Sequence, residues 1–334
     1  MKYKINIGSI LLKSSNFLAL LISFIIAIFI QDINFGTFIA LGALFFYYYL
    51  PQTNHMGIKT ICLCGLVGLF SFLLISTTSF LPWLTPLLLS LICSVFYFYN
   101  KLWNLKNPGP FLLVMIACFA GVNNALNPYI IIKSLLFIVL GIIIALSLAL
   151  VNEFIFDFFG FEKSIDKTKP MKIRISRIPS NLLMRSFFYE FAIFLSFYIS
   201  KSLNLFHFYW AVMACSAVLQ AESMPTIFKR HRIYLISTMV GCLISYLVLM
   251  MPLSLITTMG LILIFNSLIY WKMATNYLVG NFFTTPMAIL FAKLSSPVIN
   301  DTSILSRLIA IIIGTTIAFI TVYIVSYLKN RLVS

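Results

Sequence analysis

Twelve hydrophobic runs divide into two sets of six, and the second set repeats the first at one offset. Gly68, in VGLFSFLL, is matched by Gly241, in VGCLISYL, 173 positions on (241 less 68). Gly141, in IVLGIIIAL, is matched at the same distance by Gly314, in IIIGTTIAF, and Lys59, entering the third run, by Arg232. A repeat of six spans implies a duplicated membrane module, an architecture common among carriers. The expected fold is therefore an all-α integral membrane protein with about twelve transmembrane helices in two six-helix repeats. Because six is even, both repeats enter the membrane the same way round, so they are parallel and related by an axis along the membrane normal.

The expected spans are 16–31, 36–50, 59–77, 82–99, 110–127 and 131–152, then 183–202, 207–221, 232–250, 253–270, 275–293 and 303–327. Residues 1–152 form the first repeat, 153–181 a charged cytoplasmic linker and 182–334 the second repeat. Glu153 and Asp157 fall where a helix is ending, a place the helix dipole disfavours for negative charge, so they are expected to pair with the basic residues just after them.

Hydrophobic residues make up 61% of the chain and charged residues 9%, which leaves almost nothing for a water-soluble domain. The net charge of +15 raises nucleic acid as a partner, but its distribution argues otherwise. Lys2, Lys4, Lys13, Lys59, Lys101, Lys106, the run from Lys163 to Arg185, Lys229, Arg230, Arg232, Lys272, Lys329 and Arg331 fall on one side. Lys133, Lys201, Lys293 and Arg307 fall toward the other. That asymmetry places both termini in the cytoplasm and makes membrane lipids, not nucleic acid, the partner of the basic side.

The run from Phe17 to Ile30 follows three lysines as a signal peptide would, but it ends in Gln31-Asp32 with no small-residue cleavage site. Residues 1–15 are thus expected as a short interfacial lead. All six cysteines lie within hydrophobic runs, and Cys62 and Cys64, two apart, face different ways on a helix; no metal site is expected.

Ionisable residues inside spans need a reason, because a charge at the bilayer centre costs roughly 2.5–3.5 kcal/mol on insertion scales. Arg307, about one turn inside the last span, has two readings. Either it reaches back to the interface, or it faces inward, where its planar fork suits a carboxylate. Glu190, among Phe188, Tyr189 and Phe191, is either interfacial or a buried carboxylate for a coupling proton. His55, His207 and His231 fall at span ends and are read as interfacial. Pro286 interrupts an apolar run just after Thr284 and Thr285, so a simple kink or a broken, substrate-binding helix is expected there. Tyr209 and Trp210 either belong to an interfacial belt or line a path for a flat aromatic substrate. Asn123, Asn124 and Asn127 form an outer polar cluster.

Short patterns in the second half carry a family resemblance: Phe206-His207-Phe208-Tyr209-Trp210, Ala217-Val218-Leu219-Gln220, Ser237-Thr238-x-x-Gly241, Asn276-Tyr277 and Phe283-Thr284-Thr285-Pro286, then Arg307 leading into Gly314. In the first half, Asn107-Pro108-Gly109-Pro110 adds to them. Together they resemble the fusaric acid resistance protein-like family, which includes aromatic acid exporters, in a compact version without a large cytoplasmic domain. Ser237 stands where the family pattern has glycine.

The resemblance implies a secondary exporter of small organic anions, aromatic carboxylates among them, across the inner membrane, coupled to protons and with its site between the halves. On the reading of the residues above, Arg307, Asn276, Tyr277, Thr285, Tyr209 and Trp210 are the candidate substrate contacts and Glu190 the candidate proton carrier. A passive anion channel and a membrane scaffold without transport are the alternatives. An enzyme is disfavoured: no Asp-x-x-Asp pair and no Gly-x-x-x-x-Gly-Lys-Ser/Thr loop occurs, and no cofactor is expected. A second copy of the chain or an accessory export protein are the remaining partner classes.

Overall fold

The computed structural model describes residues 2–51, 55–103, 109–122, 127–161, 180–221, 224–273, 275–295 and 301–333, and every regular element among them is helical. In order these are α1 (Lys2–Ile30), α2 (Ile33–Ala43), α3 (Met56–Thr77), α4 (Thr85–Trp103), α5 (Phe111–Val122), α6 (Pro128–Phe158) and α7 (Ser180–Ser202). There follow α8 (Tyr209–Leu219), α9 (Met224–Leu249), α10 (Leu255–Met273), α11 (Tyr277–Phe282), α12 (Thr284–Ser295) and α13 (Asp301–Val333).

Among the described residues nine stretches are long and apolar enough to cross a membrane, α11 and α12 counting as one. Three shorter apolar helices accompany them: α2 with its 3-10 extension to Tyr48, α5 and α8. At 1.5 Å per residue, 18 residues or more cover most of a hydrocarbon core of about 30 Å. Large apolar side chains such as Phe29, Phe70, Leu136 and Ile256 point outward, as lipid contact requires. Inside, hydroxyls are satisfied within their own helices: Ser23 donates to Ala19 O (2.7 Å), Ser245 to Gly241 O (2.7 Å) and Thr315 to Ile311 O (2.8 Å). The chain is a multi-pass membrane protein.

Several helices run further than hydrophobicity suggests. The first begins at Lys2, where a lead segment was expected. The sixth starts where the Asn127 side chain accepts the Tyr129 N–H, with Pro128 in its first turn, and continues past Glu153 and Asp157. It stops at Gly160, whose φ of +61° lets Phe161 N–H reach Phe156 O at 2.9 Å. Glycine, not charge, ends that helix. The charges from Glu162 to Arg177, and Asn107, Pro108, Asn123, Asn124 and Glu222, lie outside the described residues.

The helices form two compact units, each drawn from both sequence halves. The first holds α1, α2, most of α3, α6, α10, α11 and α12; the second holds α4, α5, α7, α8, α9 and α13. Within the first, α2 packs on α1, α6 and α12, and α1 on α10. Within the second, α8 packs on α7, α13 and α5, and α7 on α4. The buried face of α1 is Ala19, Leu20, Ser23, Phe24 and Ala27; that of α7 is Ala192, Ile193, Ser196, Phe197 and Ser200, 173 positions on in every case (192 less 19). α12 begins and ends 173 positions after α5 (284 less 111; 295 less 122), and α13 begins 173 after α6 (301 less 128).

In each unit one crossing brings two backbones together. A Cβ on Gly141 would be driven into the Ile39 carbonyl oxygen, and one on Gly42 into that of Ile138, so α2 and α6 touch main chain to main chain. A Cβ on Gly314 would be driven into the Ala211 carbonyl oxygen, where α13 crosses α8. Small residues permit this approach, which in lipid supplies packing that a hydrophobic drive cannot. Gly141→Ala and Gly314→Ala should therefore each cost about 1–3 kcal/mol, through overpacking. Gly260→Ala, with nothing within 4 Å of its added methyl, should leave stability unchanged or higher. Thermal unfolding of the three variants in detergent checks this.

Candidate functional site

The second unit builds an aromatic corner around one buried cation. α7 ends in a reversal at Asn204, which takes φ of +52°. Leu205 N–H bonds back to Ser200 O (3.2 Å) and Asn204 N–H to Lys201 O (3.0 Å), the paired bonds of a left-handed helix stop. The chain then turns through Phe206-His207-Phe208 into α8. Ser200 Oγ donates to Phe208 O at 3.2 Å, and the Phe208 ring stands edge-on to Phe197 at 4.9 Å, so the turn is held against α7. At the far end of α8, Arg230 from α9 donates to Ala217 O at 3.2 Å.

This places His207, Tyr209 and Trp210 side by side. The His207 ring lies 4.3 Å from that of Trp210 and 5.4 Å from that of Tyr209, and Tyr209 also meets Phe119 of α5 at 5.2 Å. Arg307 of α13 completes the corner: its guanidinium carbon sits 4.7 Å from the Trp210 ring centroid. Arg307 lies seven residues, two turns, before Gly314 and so on the same face. The crossing that presses Gly314 onto Ala211 thus holds Arg307 onto Trp210, one residue away.

Arg307 is 6% exposed, and its Nε and Nη1 find no hydrogen-bond partner among the described residues. His207 is buried too, and its Nε2 is likewise unpartnered there. Among the described residues, Tyr209, Tyr234, Cys242 and His207 interact with Arg307 electrostatically. The ring face of Trp210 offsets part of the cost of burying a cation, but cation–π attraction is worth only about 2 kcal/mol when desolvated. Unmet donors on a buried guanidinium cost more than that, and an anion placed beside them would accept their hydrogen bonds.

The other residues singled out in the sequence lie elsewhere. Asn276, Tyr277 and Thr285 belong to the first unit. Asn276 is exposed and caps α11, its side chain accepting the Val279 N–H (3.4 Å). Thr285 is buried in the first turn of α12. The apolar run is a broken helix here: the chain leaves α11 at Phe283, and Pro286 sits in the first turn of α12, where a missing N–H costs nothing. Thr284 Oγ1 donates to Asn281 O (2.8 Å) across the break. Glu190 is half-buried on α7, next to Tyr189, whose hydroxyl is 2.7 Å from Ser216 Oγ.

Sequence reasoning passed over His207 as an interfacial histidine. The available signal was its position three residues before Trp210, within one aromatic cluster. It also placed Glu153 at a helix end, paired with the basic residues after it; Glu153 instead sits buried within α6 and pairs with His55.

Residues 192–321 match the family model described as fusaric acid resistance protein-like. The matched stretch spans the aromatic corner, Arg307 and the α11–α12 break. Neither the curated proteins nor the solved structures give a match. Family and apolar helices together point to a membrane transporter.

Proposed function

We propose that the chain is a secondary transporter that exports small organic anions, aromatic carboxylates in particular, across the inner membrane with both termini in the cytoplasm. The observation that carries this reading is the Arg307 guanidinium, buried over Trp210 with donors left open. A benzoate-like anion answers both halves of that site. Its carboxylate takes the guanidinium donors, and its ring packs among Trp210, Tyr209 and His207. Thr285, with Asn276 and Tyr277, lies at a broken helix of the first unit, the kind of element through which carriers commonly bind cargo.

The scaffold is two parallel six-helix repeats giving twelve spans, residues 1–152 and 182–334, joined by a charged linker. Supporting it are the nine long stretches plus three shorter apolar helices, the coincidence of helix limits at an offset of 173 and the matching packing within each unit. Each unit then takes its fourth and fifth helices from the opposite repeat, since α10 to α12 sit with α1 and α2, and α4 and α5 with α7 and α8. The driving proton needs a carboxylate on a spanning helix. Asp157 is exposed, Glu190 half-buried and Glu153 buried, and the sequence alone favours Glu190.

Liposomes containing the purified protein should accumulate para-hydroxybenzoate when a pH gradient is imposed. Arg307→Gln should weaken its binding by about tenfold to a hundredfold, the worth of a charge-assisted pair. Arg307→Lys should recover only part of it, because a point charge cannot engage both carboxylate oxygens. Flux that ignores the gradient would make the protein a channel, and unaltered binding by Arg307→Gln would remove the site.

A further inference from the structure

The first unit contains a buried carboxylate that the anion site does not use. Glu153, on α6, is 3% exposed. Its Oε2 meets Nδ1 of His55, and its Oε1 has no hydrogen-bond partner among the described residues. His55 is the opposite in character: its side chain is 68% exposed, and φ of +56° at the entrance to α3 turns it toward Glu153. A solvent-facing base thus stands in contact with an acid that solvent scarcely reaches.

Polar groups continue inward from this pair. Asn152, buried beside Glu153, accepts from Ser15 Oγ of α1 at 3.1 Å, and its Nδ2 is unpartnered among the described residues. Asn16 follows Ser15 and is wholly buried. Tyr47 donates to Asn266 of α10 at 2.8 Å, and Asn266 Nδ2 is again unpartnered there. The Tyr49 hydroxyl, electrostatically coupled to Glu153 and Asp157, has no partner among the described residues either. Interiors normally satisfy nine-tenths of such groups, so this set of open valences within one spanning unit calls for mobile protons or water.

Among the described residues the ionisable groups around Glu153 are few. His55 comes from ahead of α3, Tyr49 from beyond the 3-10 turn, and Asp157 from one turn along α6. α2 brings no ionisable side chain; on α1, Lys13 places its ammonium 5.5 Å from the Trp271 ring centroid, and Lys59 on α3 is exposed.

From this arrangement we infer that Glu153 is the coupling-proton site, with His55 as its relay to water. This rests on the proton-coupled reading above, and it assigns the proton to a carboxylate other than Glu190. In the transfer, bulk water protonates the exposed imidazole. The Nδ1–H bond then breaks as an O–H bond forms on Glu153 Oε2, and the neutral ring is free to take the next proton. The position 173 residues on from Glu153 is Ser326, and that from His55 is Phe228, so this pair belongs to one half of the chain only. In the same way Arg307 answers to Ser134, whose hydroxyl merely donates to Ile130 O (2.8 Å).

Infrared difference spectra of the purified protein in lipid nanodiscs, between about pH 8 and about pH 5, read the site without any substrate. A carboxylic C=O band should appear on acidification, vanish in Glu153→Gln and persist in Glu190→Gln. In His55→Asn the band should remain but titrate at a different pH, because its charge partner is gone. A salt bridge serving only as a tether would keep Glu153 ionised and give no such band. No band in the native protein, a band that survives Glu153→Gln, or an unmoved titration in His55→Asn would each overturn the assignment. If the band behaves as expected but para-hydroxybenzoate does not accumulate in liposomes, the exporter reading fails and the proton site stands.

Discussion

Where α13 crosses α8 there is no room for a side chain, and the site is built on that contact. Gly314 lets its backbone meet the carbonyl of Ala211. Two turns earlier on the same face, the same proximity brings Arg307 onto Trp210. In a lipid solvent such contacts must come from close packing, because apolar side chains gain nothing by leaving one apolar medium for another. A cation held this way cannot relax toward water without opening the crossing. Its donors stay unmet among the described residues, and that is the ground for proposing it as a binding group.

The corresponding crossing of α2 with α6 uses Gly141 in the same manner but carries different chemistry. Ser134 stands where Arg307 would be, and its hydroxyl is satisfied within its own helix. The buried charge on α6 is instead Glu153, at the other end of the helix from Ser134. Under the proposed duplication, one scaffold has been used twice, with the proposed anion-binding cation in one unit and the inferred proton-carrying acid in the other.

The recurrence at 173 residues was legible because crossings of this kind tolerate glycine and little else, so Gly141 and Gly314 mark themselves in the chain. The aromatic cluster before α8 was equally visible. What the sequence could not show was adjacency. Arg307 and Trp210 lie 97 positions apart (307 less 210), and only the fold says that one covers the other. The interleaving of the units is of the same kind, since hydrophobic runs reveal helices but not which helices share a core. Glu153 was obscured for a local reason. A charge after a long apolar run reads as the end of a span, whereas α6 continues to Gly160, where the backbone can take a left-handed turn. α1 misled in the same direction, its basic first turns reading as a lead segment although they are helical.

The claim on which the account rests is that a buried, unpaired guanidinium selects an anion that also carries a flat ring. Equilibrium binding of para-hydroxybenzoate and of its uncharged counterpart para-hydroxybenzyl alcohol, to the native protein in nanodiscs, tests it most directly. The two differ by the carboxylate alone. The acid should bind at least about tenfold more tightly, the least that a charge-assisted hydrogen bond in a desolvated site is worth. Equal affinity for the two, or none for the acid, would contradict the account.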